Sequence, residues 1–416
     1  MLKTNFAVQG ITDTLKNLRQ IVSSFPSNVG SVTVVSPSRI NTQLKQWKQL
    51  LPSVEPFYAV KCNPEPILLK ALIKNGLQFD CASLREVREV KNYSKCNEEP
   101  PSILYAHPMK SDYDIRMIEK MGITTTVVDS IEECKKLEQC GWKGTAYLRV
   151  AVGDKGSKMP FSAKFGARPE EIDRIAKESK IHLSGVSFHV GSGCQDYHQY
   201  TNAIKYVYKT VFQILNKNGH YPDVIDIGGG FSANLIEFNP AALAIRNGIE
   251  SIREYISVIA EPGRYFAQPS QDLFVKVIAK KRGTDGVSWR YVVDESLYGH
   301  FSCIPFDHQK PAWIRVPETD IRVNKRNSEG ILFGRTCDSL DVIARGPMEN
   351  LEVGDWLYFP LMGAYTSATA SEFNGFPKPH TIKDTSELLP KNPWAIVDEI
   401  NKHSTLVYSN ALPPIL

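Results

Sequence analysis

From about residue 31 to 265, short β-rich runs alternate with longer segments of helical spacing, and that alternation leaves few folds open to the chain. The β-rich runs cover residues 31–35, 56–60, 77–80, 103–106, 125–128, 146–150, 185–189, 224–227 and 257–260. Between them, residues 41–51, 65–75, 83–91, 131–139, 169–179 and 200–218 place apolar side chains three and four apart, the spacing of a helix with one buried face. Two of these segments open with a capping-box pattern, Ser83-Leu84-Arg85-Glu86 and Ser130-Ile131-Glu132-Glu133, soon after a strand. Strand–helix alternation implies parallel strands, because a helix must carry the chain back before the next strand can run the same way. Eight or nine such units in about 235 residues fit a (β/α)8, TIM-like barrel. The competing architecture is a doubly wound open sheet, and a dinucleotide fingerprint is missing from its first turn.

Past residue 266 the texture changes. Strand-like runs at 273–279, 289–293, 313–316 and 356–359 follow one another without regular helices, separated by loops rich in Pro, Gly and Asp. The expected layout is a barrel over 31–266 and a mostly β domain over 267–416, joined by the N-terminal segment 1–30. A net charge of +4 over 416 residues, with no long block of one sign, points to neither nucleic acid nor a membrane surface as partner. The N-terminus lacks an apolar signal core and no apolar run approaches the roughly 20 residues that span a bilayer. The eight cysteines stand singly with no C-x-x-C pair. A zinc ribbon is therefore not expected, no metal is assigned, and free thiols in a reducing cytoplasm are.

Catalytic residues of a parallel barrel gather at the C-terminal ends of its strands. Lys61 follows 56–60, Asp80 ends its run, Arg149 lies near the end of another, and His189 closes 185–188. Gly228-Gly229-Gly230 follows Asp226-Ile227, and Glu261 follows 257–260. Each has an ordinary reading: a solvated lysine, a tight turn, a structural ion pair, a core histidine. Each also has a sharper one. Lys61 in Tyr58-Ala59-Val60-Lys61-Cys62-Asn63 could carry a carbonyl cofactor as a Schiff base. The glycines could let backbone N–H groups approach a phosphate. In Glu261-Pro262-Gly263-Arg264, the acid could meet a pyridine nitrogen and the guanidinium a phosphate. The flat ring of His189 could stack on that cofactor, with Ser192 reaching the phosphate. Six strand ends thus suit one anionic, aromatic group.

These stretches resemble eukaryotic ornithine decarboxylase, of the fold-type III enzymes that use pyridoxal 5'-phosphate and pair an alanine-racemase-like barrel with a β domain. The resemblance runs from about residue 31 to 376. It rests on Pro56-Phe57-Tyr58-Ala59-Val60-Lys61-Cys62-Asn63-Pro64, Phe79-Asp80-Cys81-Ala82-Ser83 and Phe188-His189-Val190-Gly191-Ser192-Gly193. It continues through Asp226-Ile227-Gly228-Gly229-Gly230-Phe231, Glu261-Pro262-Gly263-Arg264-Tyr265, Thr336-Cys337-Asp338 and Met362-Gly363-Ala364-Tyr365-Thr366. It implies that Lys61 bonds the cofactor, His189 stacks on its ring and Glu261 pairs with the ring nitrogen. Asp80 and Arg149 would support that network, while Ser192, Gly229, Gly230, Arg264 and Tyr365 hold the phosphate. Asp307 would receive the distal amine of a basic amino acid, most simply L-ornithine, giving putrescine for polyamine synthesis. Cys337, the expected proton donor to the α-carbon, and Asp338 would enter the site from a partner subunit, making a homodimer with shared sites.

The departures lie on the substrate side. Phe306-Asp307-His308 stands where the family usually has Tyr-Asp-His, and Arg335 where it has proline two residues before the cysteine. Asp294-Glu295-Ser296 replaces an Asn-Asp-Gly stretch, and Ala106-His107-Pro108-Met109-Lys110 differs from Ala-Asn-Pro-Cys-Lys. Arg335 could bind an extra carboxylate on an altered substrate. Arginine and diaminopimelate decarboxylation, and a non-catalytic regulator resembling an antizyme inhibitor, are the remaining alternatives.

Overall fold

The computed structural model describes residues 2–95, 99–153, 156–159, 164–316, 318, 327–402 and 406–408. Cys96 lies outside the described residues. The chain divides into two compact units, one of residues 42–266 and one of residues 1–41 with 267–416.

The first unit is a closed barrel of eight strands. They are, in order, Val54–Ala59, Gln78–Cys81, Ile103–Tyr105, Thr125–Val128, Thr145–Val150, Leu183–Phe188, Val224–Asp226 and Ser257–Ala260. Every neighbouring pair is parallel, and Val258 opposite Val54 closes the ring. Leu104, Ala106, Val127 and Ile259, with Phe57, Tyr147 and Val224 against them, form an apolar cluster among these strands.

The helices between strands are cut to length by local chemistry. Ser83 accepts the Glu86 amide ahead of Leu84–Tyr93, and Ser130 accepts that of Glu133 ahead of Ile131–Gln139. Glu65 caps Pro66–Lys74, where proline at the first position lacks only an N–H that would be orphaned anyway. Two helices escape the spacing argument. Asp112–Lys120 buries only Ile115 and Ile118. Leu235–Ile249 is apolar nearly all round and carries Pro240 inside, which blurs its period.

The run at 31–35 is not a barrel strand. Val32–Val35 pairs antiparallel with Gln271–Arg282 and parallel with His380–Lys383, both in the second unit. All four of its residues are buried. An apolar run covered on both faces reads the same in a barrel and in a packed sheet, so only pairing separates the two.

That second unit is built on a nine-stranded sheet. One core cluster gathers Leu273, Val275, Tyr291, Val293, Phe301 and Phe359; another gathers Leu18, Ile21, Val32, Val34, Phe274 and Tyr358. Within it Arg39 grips Asp272 through two bonds of 2.9 Å, and Asp272 also accepts the Tyr358 hydroxyl at 2.6 Å. No described helix is long and apolar enough to cross a membrane.

Candidate active site

Lys61 leaves the first barrel strand in a single tight turn, Val60–Cys62. Its Nζ lies 2.7 Å from Oδ2 of Asp80, at the end of the second strand. The acid is fully buried while the lysine side chain is 45 % exposed, so the amine reaches from solvent to a fixed charge. The other oxygen of Asp80, Oδ1, is buried and has no hydrogen-bond partner. Glu86 stands behind the pair and accepts the Ala82 amide at 2.6 Å. Burial first, with the nearby charge of Asp80 adding to it, pushes the Glu86 carboxyl up to about 7.

His189 follows the sixth strand. Its Nδ1 accepts the Gly191 amide at 2.9 Å, which leaves the ring proton on Nε2. Burial, then the positive charges of Arg149 and Lys61, hold this imidazole well below its usual range, so the ring is neutral. Arg149, near the end of the fifth strand, lays its guanidinium 5.0 Å over the ring of Phe165.

The three glycines after the seventh strand have no room for a side chain. A Cβ would fall 2.4 Å from the Phe188 carbonyl oxygen at Gly228, 2.2 Å from that of Glu261 at Gly229, and 2.4 Å from that of Gly191 at Gly230. Gly228 and Gly230 also sit at φ +67° and +82°, where a side chain is strained. The Gly193 amide donates to the Gly230 carbonyl at 3.2 Å, which joins the turn to the segment carrying Ser192. The aromatic core fixes this turn from behind. Trp47 meets Phe231, Phe238, Tyr265 and Phe266 at 5.2 to 5.9 Å, so the residues just after Gly230 and Arg264 are anchored together.

Glu261 follows the eighth strand, half-buried, and Arg264 opens the short helix Arg264–Ala267. Burial raises the Glu261 carboxyl; Asp80 raises it further, and Lys61 and Arg149 oppose the shift. Lys61, Asp80, Arg149, His189, Ser192, Gly229, Gly230, Glu261 and Arg264 thus all belong to the barrel unit, at or just beyond the C-terminal ends of its strands.

The remaining candidates belong to the second unit. Asp307 ends the short helix Cys303–Asp307 and accepts from Gln309, whose Nε2 also donates to the Ala364 carbonyl at 2.8 Å. Tyr365 comes next, in the left-handed region at φ 53°. Cys337 is exposed, with its amide donating to Asn374 at 2.9 Å. Asp338 accepts the Tyr298 hydroxyl and, at 2.9 Å, the Leu340 amide, and the Tyr298 bond holds its carboxyl below the usual range. Asp341 ties this loop down, accepting from Leu297 N, Thr336 N and Thr336 Oγ1. Arg335 stacks its guanidinium 4.7 Å over Phe376 and donates to the Pro377 carbonyl.

Sequence grounds alone assign no role to Glu86, Asp226, Gln309, Tyr298 or Asp341. Glu86 shows there only as the acid of a capping box, and Asp226 only as the first letter of the glycine motif. Among the described residues, no group of three or more His, Cys, Asp and Glu could hold a metal ion.

The neutral His189 ring, the glycine turn without side-chain room and the unpartnered oxygen of Asp80 fit a flat, phosphorylated, nitrogen-bearing ring. Comparison with known proteins agrees. Residues 37–268 match the model of the pyridoxal-dependent decarboxylase, pyridoxal binding domain. The ornithine decarboxylase of Schizosaccharomyces pombe is 38 % identical over 386 residues, 88 % of each chain. The chloroplastic ornithine decarboxylase of Nicotiana glauca is 36 % identical over 82 % of this chain and 81 % of its own. Among solved structures, the arginine decarboxylase of Paramecium bursaria Chlorella virus superposes with a TM-score of 0.82 at 31 % identity, over 89 % of this chain and all of that one. The Vibrio vulnificus lysine/ornithine decarboxylase complexed with cadaverine gives 0.79 at 29 % identity, over 88 % of this chain and 98 % of that one.

Proposed function

The chain belongs to the pyridoxal-dependent decarboxylases and acts as an amino-acid decarboxylase that uses pyridoxal 5'-phosphate; on that footing we propose that its substrate is L-ornithine and its product putrescine. The observation that carries the site assignment is the Lys61–Asp80 pair at the mouths of adjacent barrel strands, 2.7 Å apart with one partner buried.

The residues divide the work. Lys61 would bond the cofactor through its amine, and Asp80 keeps that amine in place. His189 would lie flat on the ring; being neutral, it adds no charge there. Glu261 would take the ring nitrogen. Ser192, the backbone at Gly229 and Gly230, Arg264 and Tyr365 would hold the phosphate. What bound pyridoxal phosphate supplies is an electron sink for the pair left on the α-carbon when CO2 departs. Cys337 would return the proton to that carbon, and Asp307 and Asp338 would receive the distal ammonium.

Cys337 and Asp338 would serve a partner's site, so the working unit is a homodimer. A mixture of Lys61→Ala and Cys337→Ala protomers then recovers activity that neither variant shows alone. We place the enzyme in the cytoplasm, a reading supported by seven described cysteines that are all free thiols.

The relatives named above act on ornithine, lysine or arginine by their printed names, so the substrate is the finer part of the proposal. Arg335, the residue that could favour an extra carboxylate, is held by Phe376 and the Pro377 carbonyl but keeps a buried Nε without a partner, so the substrate comparison decides its part. Purified protein offered ornithine, lysine, arginine and carboxylated analogues should release CO2 fastest from ornithine. A higher kcat/KM for any other of these would replace the substrate assignment.

A further inference from the structure

Asp226 and Glu261 stand at the ends of the adjacent seventh and eighth barrel strands, with Asp226 opposite Ile259 in the pairing, and each bears on the other's ionisation. Asp226 is completely buried. Its Oδ1 accepts the Gly228 amide at 2.9 Å, while its Oδ2 meets no donor at all. The Gly228 carbonyl in turn accepts the Glu261 amide at 2.7 Å, so a single turn fixes the backbones of both acids. Gly229 lies flush against the Glu261 carbonyl, with no space between.

Two neighbouring carboxylates, one wholly out of water and one half-buried, resist ionising together, so one of them holds a proton. Its owner follows from the neighbours. Glu261 has Asp80 against its charge, but Lys61, Arg149 and a hydrogen bond from Asp226 all favour its charged form. Asp226 has Glu261 and Asp80 as its charged neighbours, and both disfavour its own. An acid with one backbone donor and two anions around it keeps the proton. Burial, then Glu261, accordingly holds the Asp226 carboxyl well above the usual range.

We propose that Asp226 is a positioning residue held as a neutral carboxylic acid, its Oδ2 hydroxyl donating to Glu261 and aiming that carboxylate at the cofactor's ring nitrogen. This rests on the assignment of Glu261 to the ring nitrogen. The donated hydrogen bond fixes the Glu261 rotamer before any ligand arrives and satisfies the oxygen that otherwise has no partner. It also removes one negative charge from a site that already holds Asp80 and Glu261.

The proton needs no cofactor to be there, so cofactor-free protein is the first sample. The infrared difference between wild type and Asp226→Asn should show loss of one carbonyl band of a neutral carboxylic acid. The second measurement is pyridoxal phosphate affinity by absorbance titration. Asp226→Asn retains an acceptor for Gly228 and a donor for Glu261, so affinity stays within about threefold of wild type. Asp226→Leu retains bulk but neither bond, and affinity falls about tenfold or more. No neutral-acid band, or an Asp226→Asn loss as large as that of Asp226→Leu, overturns the proposal. A band that is present while Asp226→Leu leaves affinity unchanged overturns the link to the cofactor. The infrared and asparagine measurements decide the matter should the leucine variant not fold. Failure of wild type to decarboxylate ornithine concerns the substrate alone and moves neither readout.

Discussion

Lys61 is half in solvent and Asp80 is wholly out of it, and that asymmetry separates what each contributes. Removing the exposed amine should leave the fold intact and stop the chemistry: Lys61→Ala is expected to lose CO2 release essentially completely, with an unchanged circular dichroism spectrum. Near-normal turnover from that variant would remove Lys61 from the mechanism. Glu86, beside the pair, offers a test through pH. Its carboxyl titrates at about 7 in the folded chain, above its ordinary value, so the folded state binds this proton more tightly than the unfolded one. The stability that proton contributes is present below the ordinary carboxylate range and is lost as pH rises through about 7. Glu86→Gln, permanently neutral, should therefore gain on wild type between about pH 5 and pH 8, by on the order of 1–3 kcal/mol in urea unfolding. A difference independent of pH would contradict the raised value.

The turn Gly228-Gly229-Gly230 is the element on which most of the candidate site leans. It touches the His189 segment on one side and the Glu261 backbone on the other. Gly229→Ala must displace the Glu261 carbonyl, since the new methyl would stand 2.2 Å from it. Weakened pyridoxal phosphate binding, about tenfold or more, with the barrel still folded is the expected result; wild-type affinity would show that the turn is only a turn. In the sheet unit the Arg39–Asp272–Tyr358 group plays a purely structural part. Arg39 is buried, and Asp272→Ala would strand its charge, at a cost of roughly 3–5 kcal/mol in denaturant unfolding. A cost below about 1 kcal/mol would mean that water or Tyr358 already satisfies the guanidinium.

At the scale of the molecule, the barrel was legible because a helix must intervene between parallel strands, and that leaves a long-range period in the residues. Its starting point was not, because Val32–Val35 is as apolar as a barrel strand and finds its partners only through residues that come much later in the chain. The candidate site divides along the same line. Lys61, His189, Gly228-Gly229-Gly230 and Glu261 could be picked out since each stands where a strand ends. Asp226 could not, because its significance lies in a neighbour on the next strand and in a proton that no letter of the sequence records. The same is true of Arg335: a lone arginine in a loop announces charge, while its stacking on Phe376 is a matter of packing.

Cys337 is the one described cysteine that is exposed; five others are buried and Cys140 lies between. The folded chain therefore carries a chemically addressable tag on the very loop assigned to the reaction. A maleimide spin label or fluorophore should react there first, leaving the buried thiols for denaturant to uncover. Because that loop is assigned to a second protomer's site, its rate of labelling becomes an assembly gauge. Dilution that parts the protomers should speed the reaction, and cofactor or product that draws them together should slow it. The thiol proposed to hand over a proton would thus also report whether two protomers have come together.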